Sequence, residues 1–169
     1  MEYLWIPLWR IGAVRGSMVY IPGERFRPAV QGESGADYKR YREWREAPRV
    51  EISRADRLRD EAASRRLAAA LLSGLQEHEV AIHADQPIRD RVVRGRGRRR
   101  AWLPAVLRGN LVPAKVLLET VNLGAPRDVE LIEDPEGRER MARGVVAGLQ
   151  RFYSGDQDRA AGRRAAAAR

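Results

Sequence analysis

Apolar positions along the chain fall into short runs separated by charged stretches, and the spacing within each run predicts an element. Val116, Leu117 and Leu118 follow one another without polar alternation and stop at Glu119. That is the pattern of a strand buried on both faces, as in a parallel sheet. Pro113 fits only at the start of such a strand, because it has no N–H to give to the ladder. Gly16 to Ile21, closed by Pro22-Gly23, predicts a second strand ending in a turn. Ser53 is placed to cap a helix running to about Leu75 or Gln76. In it Leu58, Ala62, Ala68, Leu71, Leu72 and Leu75 form one apolar stripe, with Arg and Asp on the other face. Gly124 to Asp128 predicts a turn, with Asp128 capping a short helical stretch that holds Leu131 and Ile132. Asp134-Pro135 has the form of a helix start, a carboxylate cap followed by proline at the first helical position. Met141, Val145, Leu149 and Phe152 then recur every three or four residues to about Tyr153. Beyond Gly155 the Arg/Ala tail has no stripe and is expected to be frayed or disordered.

The remaining stretches are less periodic. Tyr3, Leu4, Trp5, Ile6, Leu8 and Trp9 have the character of buried positions at the very start of the chain. Residues 23–50 are rich in Arg, Glu, Gly and Pro and predict a long surface loop, with a short helix around Tyr38 to Trp44. There Tyr38, Tyr41 and Trp44 alternate with Lys39, Arg40, Arg42 and Arg45. Such a segment either stacks its rings on bases or sugars, or packs them down as an amphipathic helical turn. His78 and His83 lie near Glu77, Glu79 and Asp85. Residues five apart share neither a helix face nor a strand face, so these histidines are taken as ordinary loop residues rather than metal ligands. Arg94 to Arg100 is the densest charge run. It suits a nucleic-acid patch, a disordered arm or a solvated basic loop. Trp102, Leu103, Val106 and Leu107 follow it as a strand edge or short core element.

Composition narrows the class. The chain has 169 residues, 44% of them hydrophobic, which suffices for one domain with a core. A formal charge of +9 and a pI near 10.8 point to anionic partners: nucleic acid, anionic lipid or an acidic wall polymer. Lysine occurs only as Lys39 and Lys115, a bias expected of a GC-rich coding sequence. The absence of cysteine rules out disulfides, thiolate zinc sites and a cysteine nucleophile. No segment has the length and apolarity of a membrane span, and the first residues lack the basic start and cleavage site of a secretory signal.

Glu119 is the candidate site residue. It stands where its strand runs out, at the carboxyl edge of a sheet, where ligands bind in open α/β folds. A carboxylate there is either a structural ion-pair group or a catalytic one. The segment Val106-Leu-Arg-Gly-Asn-Leu-Val-Pro-Ala-Lys-Val-Leu-Leu-Glu119, the turn with Asn122 and Pro126-Arg-Asp128, Asp134-Pro135, and a closing helix ending Gly148-Leu-Gln-Arg-Phe-Tyr153 follow in order. This series resembles the C-terminal part of zinc-dependent N-acetylmuramoyl-L-alanine amidases, whose pattern is "VLR", "PAVLVE", a "GFLSNPED"-like turn and a helix ending "GI..Y". Ser64-Arg-Arg-Leu-Ala68 is similar to the family's "S..LA..IQ" helix, and Arg94 to Arg100 falls where the family carries an "RGVK"-like segment. The resemblance covers roughly Ser53 to Tyr153.

The resemblance implies an α/β fold, a partial three-layer sandwich with a mostly parallel sheet flanked by helices. It implies hydrolysis of the N-acetylmuramoyl–L-alanine amide of peptidoglycan by zinc-activated water, with Glu119 inheriting the role of general base and proton donor. Zinc is expected for the full family domain but not for this chain alone. The family's "DPGHGG" histidine and following glutamate have no counterpart, and Ile82-His83-Ala84-Asp85 lies on the wrong side of the "S..LA" helix to match its "SIHAN" histidine. The turn Thr120-Val-Asn-Leu-Gly-Ala also departs from "GFLSNP". Residues 1–153 are thus expected to be the C-terminal part of an amidase-like domain, truncated and inactive as written, with 154–169 a tail. Expected partners are peptidoglycan and the missing N-terminal half, at the periplasm or cell surface, although no export signal is present. The alternatives are a non-catalytic basic protein binding anionic wall polymer or nucleic acid through the arginines, and a regulator that keeps a wall-binding groove without metal.

Overall fold

The computed structural model describes residues 14–27, 29–31, 50–94, 100–108 and 110–167. In chain order these form strand β1 (Met18–Tyr20), a 3-10 turn (Glu24–Phe26), β2 (Val30–Gln31), β3 (Val50–Glu51), helix α1 (Arg54–Glu77), β4 (Ile88–Arg89), β5 (Val92–Arg94), β6 (Arg100–Trp102), α2 (Ala105–Arg108), β7 (Leu117–Glu119), α3 (Pro126–Glu133) and α4 (Pro135–Ala167). The α/β class expected from the sequence is what the chain adopts: helices with a small mixed sheet. A three-stranded sheet has the order β4-β1-β7, and β2-β3 and β5-β6 are separate antiparallel pairs. β1 and β4 advance together: Val19 N donates to Pro87 O (2.7 Å) and Ile21 N to Arg89 O (2.8 Å). A parallel bridge joins Ser17 to Ile82 ahead of them.

The chain divides into two compact units. The described part of the first comprises 14–19, Arg66–Ile88 and 118–167. Here the second half of α1 packs on α4 at a glycine crossing. A Cβ on Gly148 would lie 2.6 Å from Leu71 Cα, and one on Gly74 would lie 2.6 Å from Gly148 N. Side chains have no room there, so the two helix backbones touch directly. Leu67, Ala68, Leu71, Leu72, Leu75 and Phe152 fill the surrounding core. On the outer side Arg151 donates to Ser73 Oγ (2.7 Å) and to Glu77 (2.8 Å), and its guanidinium holds the Glu77 carboxyl below the usual range. Both partners of that pair are about half exposed, so it adds little stability. α1 ends in a Schellman motif: Val80 N donates to Leu75 O (3.0 Å) and Glu79 N to Gln76 O (3.1 Å), with Glu79 at φ 59°.

The second unit comprises the described residues of Tyr20–Arg65 and Arg89–Leu117. Ser53 caps α1 as expected, its Oγ accepting from Asp56 N (3.1 Å) and donating to Asp56 Oδ2 (2.6 Å). That hydroxyl is the main reason the Asp56 carboxyl is held below its usual pKa. Ile21, Leu103 and Leu107 are fully buried, with Ile52 close behind. An ionic cluster is buried as well. Arg27 and Lys115 both donate to Asp60 Oδ2, Lys115 at 3.2 Å, and Lys115 Nζ also donates to Val112 O. Ser64 Oγ accepts from Lys115 N (3.0 Å) and donates to Pro113 O (3.3 Å). Two cations thus share one carboxylate. Burial first, and the nearby Arg27 charge second, push the Lys115 ammonium below its ordinary pKa.

Several expectations change in detail. β7 is half-buried along its length rather than buried on both faces, because it stands at the edge of the sheet formed by the described strands, and Pro113 lies ahead of the strand. The inward stripe of α1 runs through Asp60, Ser64, Leu67/Ala68, Leu71 and Leu75, leaving Leu58 (46%) and Ala62 exposed. The stripe is polar at its start because it meets Arg27 and Lys115 there. Within 23–50 the expected surface loop contains the 3-10 turn, the buried Arg27 and the β2-β3 pair, which gives these polar residues backbone partners. The Tyr38–Trp44 helix and the apolar residues 3–9 fall outside the described residues. The ends of the Arg94–Arg100 run are strand rather than loop, with Arg94 opposite Arg100 in the β5-β6 register, and 95–99 lie outside the described residues. The α4 backbone continues past Tyr153 to Ala167. Alanine and arginine have strong intrinsic helix propensity, so helix there needs no apolar stripe.

The Lys115 cluster makes stability depend on alkaline pH with a definite sign. An amine whose folded-state pKa is depressed makes the unfolded chain the greater proton binder below 10.5, so stability rises as pH climbs through the interval from the depressed value to 10.5. Urea midpoints measured from neutral pH to 10.5 should rise in the wild type. In Lys115→Met, where Arg27 keeps Asp60 to itself, that rise should be absent. Equal slopes in the two proteins would show that Lys115 is not the titrating group.

Candidate active site at the end of β7

Glu119 is the last residue of β7 and is half-buried. The chain leaving it is tied down within the first unit. Thr120 O accepts from Ser17 Oγ (2.7 Å), and Ser17 is completely buried at the entry to β1. On its other flank Ser17 N donates to Ala81 O (2.7 Å), and His83 N donates to Ser17 O (2.9 Å). Ser17 therefore joins the exit of β7 to the segment Ala81–His83.

A second tie comes from Asp128, on the first turn of α3 and only 3% exposed. Its Oδ2 accepts from Gly16 N (2.7 Å) and from Asn122 N (2.9 Å). Asn122 extends the arrangement, donating from Nδ2 to Val14 O (2.6 Å) and accepting from Gly124 N (2.9 Å). Gly16 is required on two counts: its φ is +89°, and a Cβ there would stand 2.7 Å from the Ile82 carbonyl carbon. Asp128 was expected to cap its own helix, but the cap position is Ala125, which makes no side-chain cap bond. The carboxylate turns instead to the loops on either side of it, which have buried N–H groups in need of an acceptor.

The structure thus places Glu119 at a strand end whose outgoing loop is fixed by Ser17, Asn122 and Asp128. A carboxylate held on such a scaffold can accept a proton from water and return it to a leaving group. Neither Ser17 nor Asp128 carries a local sequence signal for this role. His83, expected to be an ordinary loop residue, is 8% exposed, with Nδ1 accepting from Asp85 N (3.1 Å). Among the described residues no group of three or more His, Cys, Asp or Glu could hold a metal ion. No helix among them is long and apolar enough to cross a membrane.

Known proteins bear on this geometry through structure only. No protein-family model and no curated protein matches the chain. The crystal structure of Ami1, the N-acetylmuramyl-L-alanine amidase of Mycobacterium smegmatis, is similar with a TM-score of 0.54 at 18% sequence identity. The likeness covers 85% of this chain and 49% of that one, so this chain spans about half the length of Ami1. At that identity the likeness is one of fold.

The Asp128 tie has a measurable consequence. Asp128→Ala leaves the Gly16 and Asn122 N–H groups without an acceptor, at about 1–3 kcal/mol each. The unfolding free energy should fall by about 2–6 kcal/mol, and by less in Asp128→Asn, which retains a carbonyl oxygen. A loss in Asp128→Ala below about 1 kcal/mol would show that water replaces the carboxylate without cost.

Proposed function

We propose that this chain is the glutamate-bearing part of a peptidoglycan amidase, acting on the amide between N-acetylmuramic acid and L-alanine, with Glu119 as its general base. The observation that carries the reading is a carboxylate at the end of β7, whose outgoing loop is fixed by the Ser17 and Asp128 ties, in a fold similar to that of an amidase. Glu119 takes the proton from the attacking water as the carbonyl becomes tetrahedral. It then delivers that proton to the amide nitrogen, the C–N bond breaks, and a peptide with a free amino end departs. Zinc, which the sequence resemblance implies, would draw its ligands from outside the described residues. The place of action is the cell wall, and the partner is peptidoglycan.

A second reading rests on charge. Arg94 and Arg100 are register partners in the β5-β6 pair, in a chain of formal charge +9. That suits a non-catalytic protein that binds anionic wall polymer or nucleic acid.

Release of peptide from purified peptidoglycan decides between the two. Glu119→Gln should lower the rate by about 10²–10⁴-fold, the usual contribution of a general base, without moving the thermal midpoint or weakening adsorption to the wall. A rate within about twofold of wild type would remove Glu119 from the chemistry. A chain that adsorbs to the wall without releasing peptide would favour the binding reading. Affinity for nucleic acid that falls steeply with salt, and that is lost when Arg98, Arg99 and Arg100 are changed to Gln, would favour the binding reading.

A further inference from the structure

Beside the entry to β1, within the first unit, lies a groove of about 410 Å3 lined by Arg15, Gln76, Glu79, Val80, Ala81 and Ile82. That size lies in the range of small-molecule sites. Arg15 and Glu79 line it with opposite charges, yet they do not pair with each other. Among the described residues, neither side chain has a hydrogen bond or an ion pair.

Glu79 is the informative residue. It occupies the left-handed position of the Schellman motif that closes α1, at φ 59°, where glycine is the usual occupant. The position also lies at a helix C-terminus, whose partial negative charge disfavours an acidic side chain. Backbone conformation and helix dipole therefore both oppose a glutamate here, and no partner within the described fold compensates. Strain of this kind is stored where a side chain has a use. The carboxylate lines the same groove as a guanidinium whose five donors are uncommitted.

We propose that this groove binds a short peptide with free ends, Arg15 taking the carboxylate in a bidentate grip and Glu79 taking the ammonium. Gln76 supplies an amide for the peptide backbone, and Ala81 and Ile82 form the less polar wall. Opposite charges on one groove are complementary to a zwitterion, because each offers one end of such a ligand a charge-assisted partner. The inference stands on this groove and not on the chemistry of Glu119, since it concerns binding without turnover.

Titration calorimetry on the full chain tests it with alanyl-alanine and with its N-acetylated and C-amidated forms. The wild type should bind the free dipeptide about tenfold or more tightly than either blocked form. Arg15→Gln should lose the preference for the free carboxylate, and Glu79→Gln the preference for the free amine. Glu79→Gly should bind the free dipeptide about tenfold more weakly while unfolding at a higher temperature, which a merely structural glutamate would not do. No saturable binding of the free dipeptide, equal binding of free and blocked forms, or affinities unmoved by these substitutions would overturn the proposal.

Discussion

The carboxylate of Asp128 is the interaction on which the candidate site depends. One buried oxygen accepts two backbone N–H groups, from Gly16 and Asn122, and so fixes the approach to β1 and the loop after Glu119 at once. Neither loop has a ladder of its own at these positions. In a low-dielectric setting, an N–H without an acceptor is far more costly than the net gain of an ordinary hydrogen bond. The two bonds therefore act as a constraint on geometry more than as a source of stability. Ser17 repeats the logic a residue further on, with its backbone paired to Ala81 and His83 and its hydroxyl given to Thr120. A catalytic carboxylate needs a support of this kind, because an error of an ångström at the reacting atom is expensive.

Helix α1 shows how one element can serve two environments. Its first half turns Asp60 and Ser64 toward Arg27 and Lys115, and its second half turns Leu67, Leu71, Leu75 and Gly74 toward an apolar core and the α4 backbone. The apolar half stabilises by removing surface from water, at roughly 1.5–3 kcal/mol for each fully buried leucine. The polar half cannot do this. Two cations share one carboxylate in a buried place, and it is burial first, with the Arg27 charge second, that depresses the Lys115 pKa.

Local signals in the sequence were reliable where the chemistry is local. Ser53 and Asp134 cap their helices through residues three positions away, Asp134 Oδ2 accepting from Gly137 N at 2.9 Å, and such contacts follow from residue type and spacing. The strand from Gly16 and the placement of Glu119 at a strand end were legible for the same reason. Contacts between distant residues were not. Asp128 lies 112 positions from Gly16, and Lys115 lies 55 from Asp60, so nothing in either segment announces the other. A capping role for Asp128 was the natural local reading, and the tertiary demand of two buried N–H groups displaced it. The burial of β7 was misjudged because an apolar run does not reveal whether its strand is central or at an edge. His83 was hidden likewise: it is buried, on a segment whose backbone pairs with the distant Ser17.

The central claim is that the end of β7 meets the wall peptide. Amide chemical shifts recorded while a soluble muropeptide is titrated into the protein test it most directly. The account predicts that the largest changes fall on Leu118 to Asn122 and on Gly16 and Ser17, which the Ser17 and Asp128 ties couple to that strand end. Changes confined to Val92 to Trp102, around the arginine-bearing strand pair, would contradict it and leave a basic binding protein in its place.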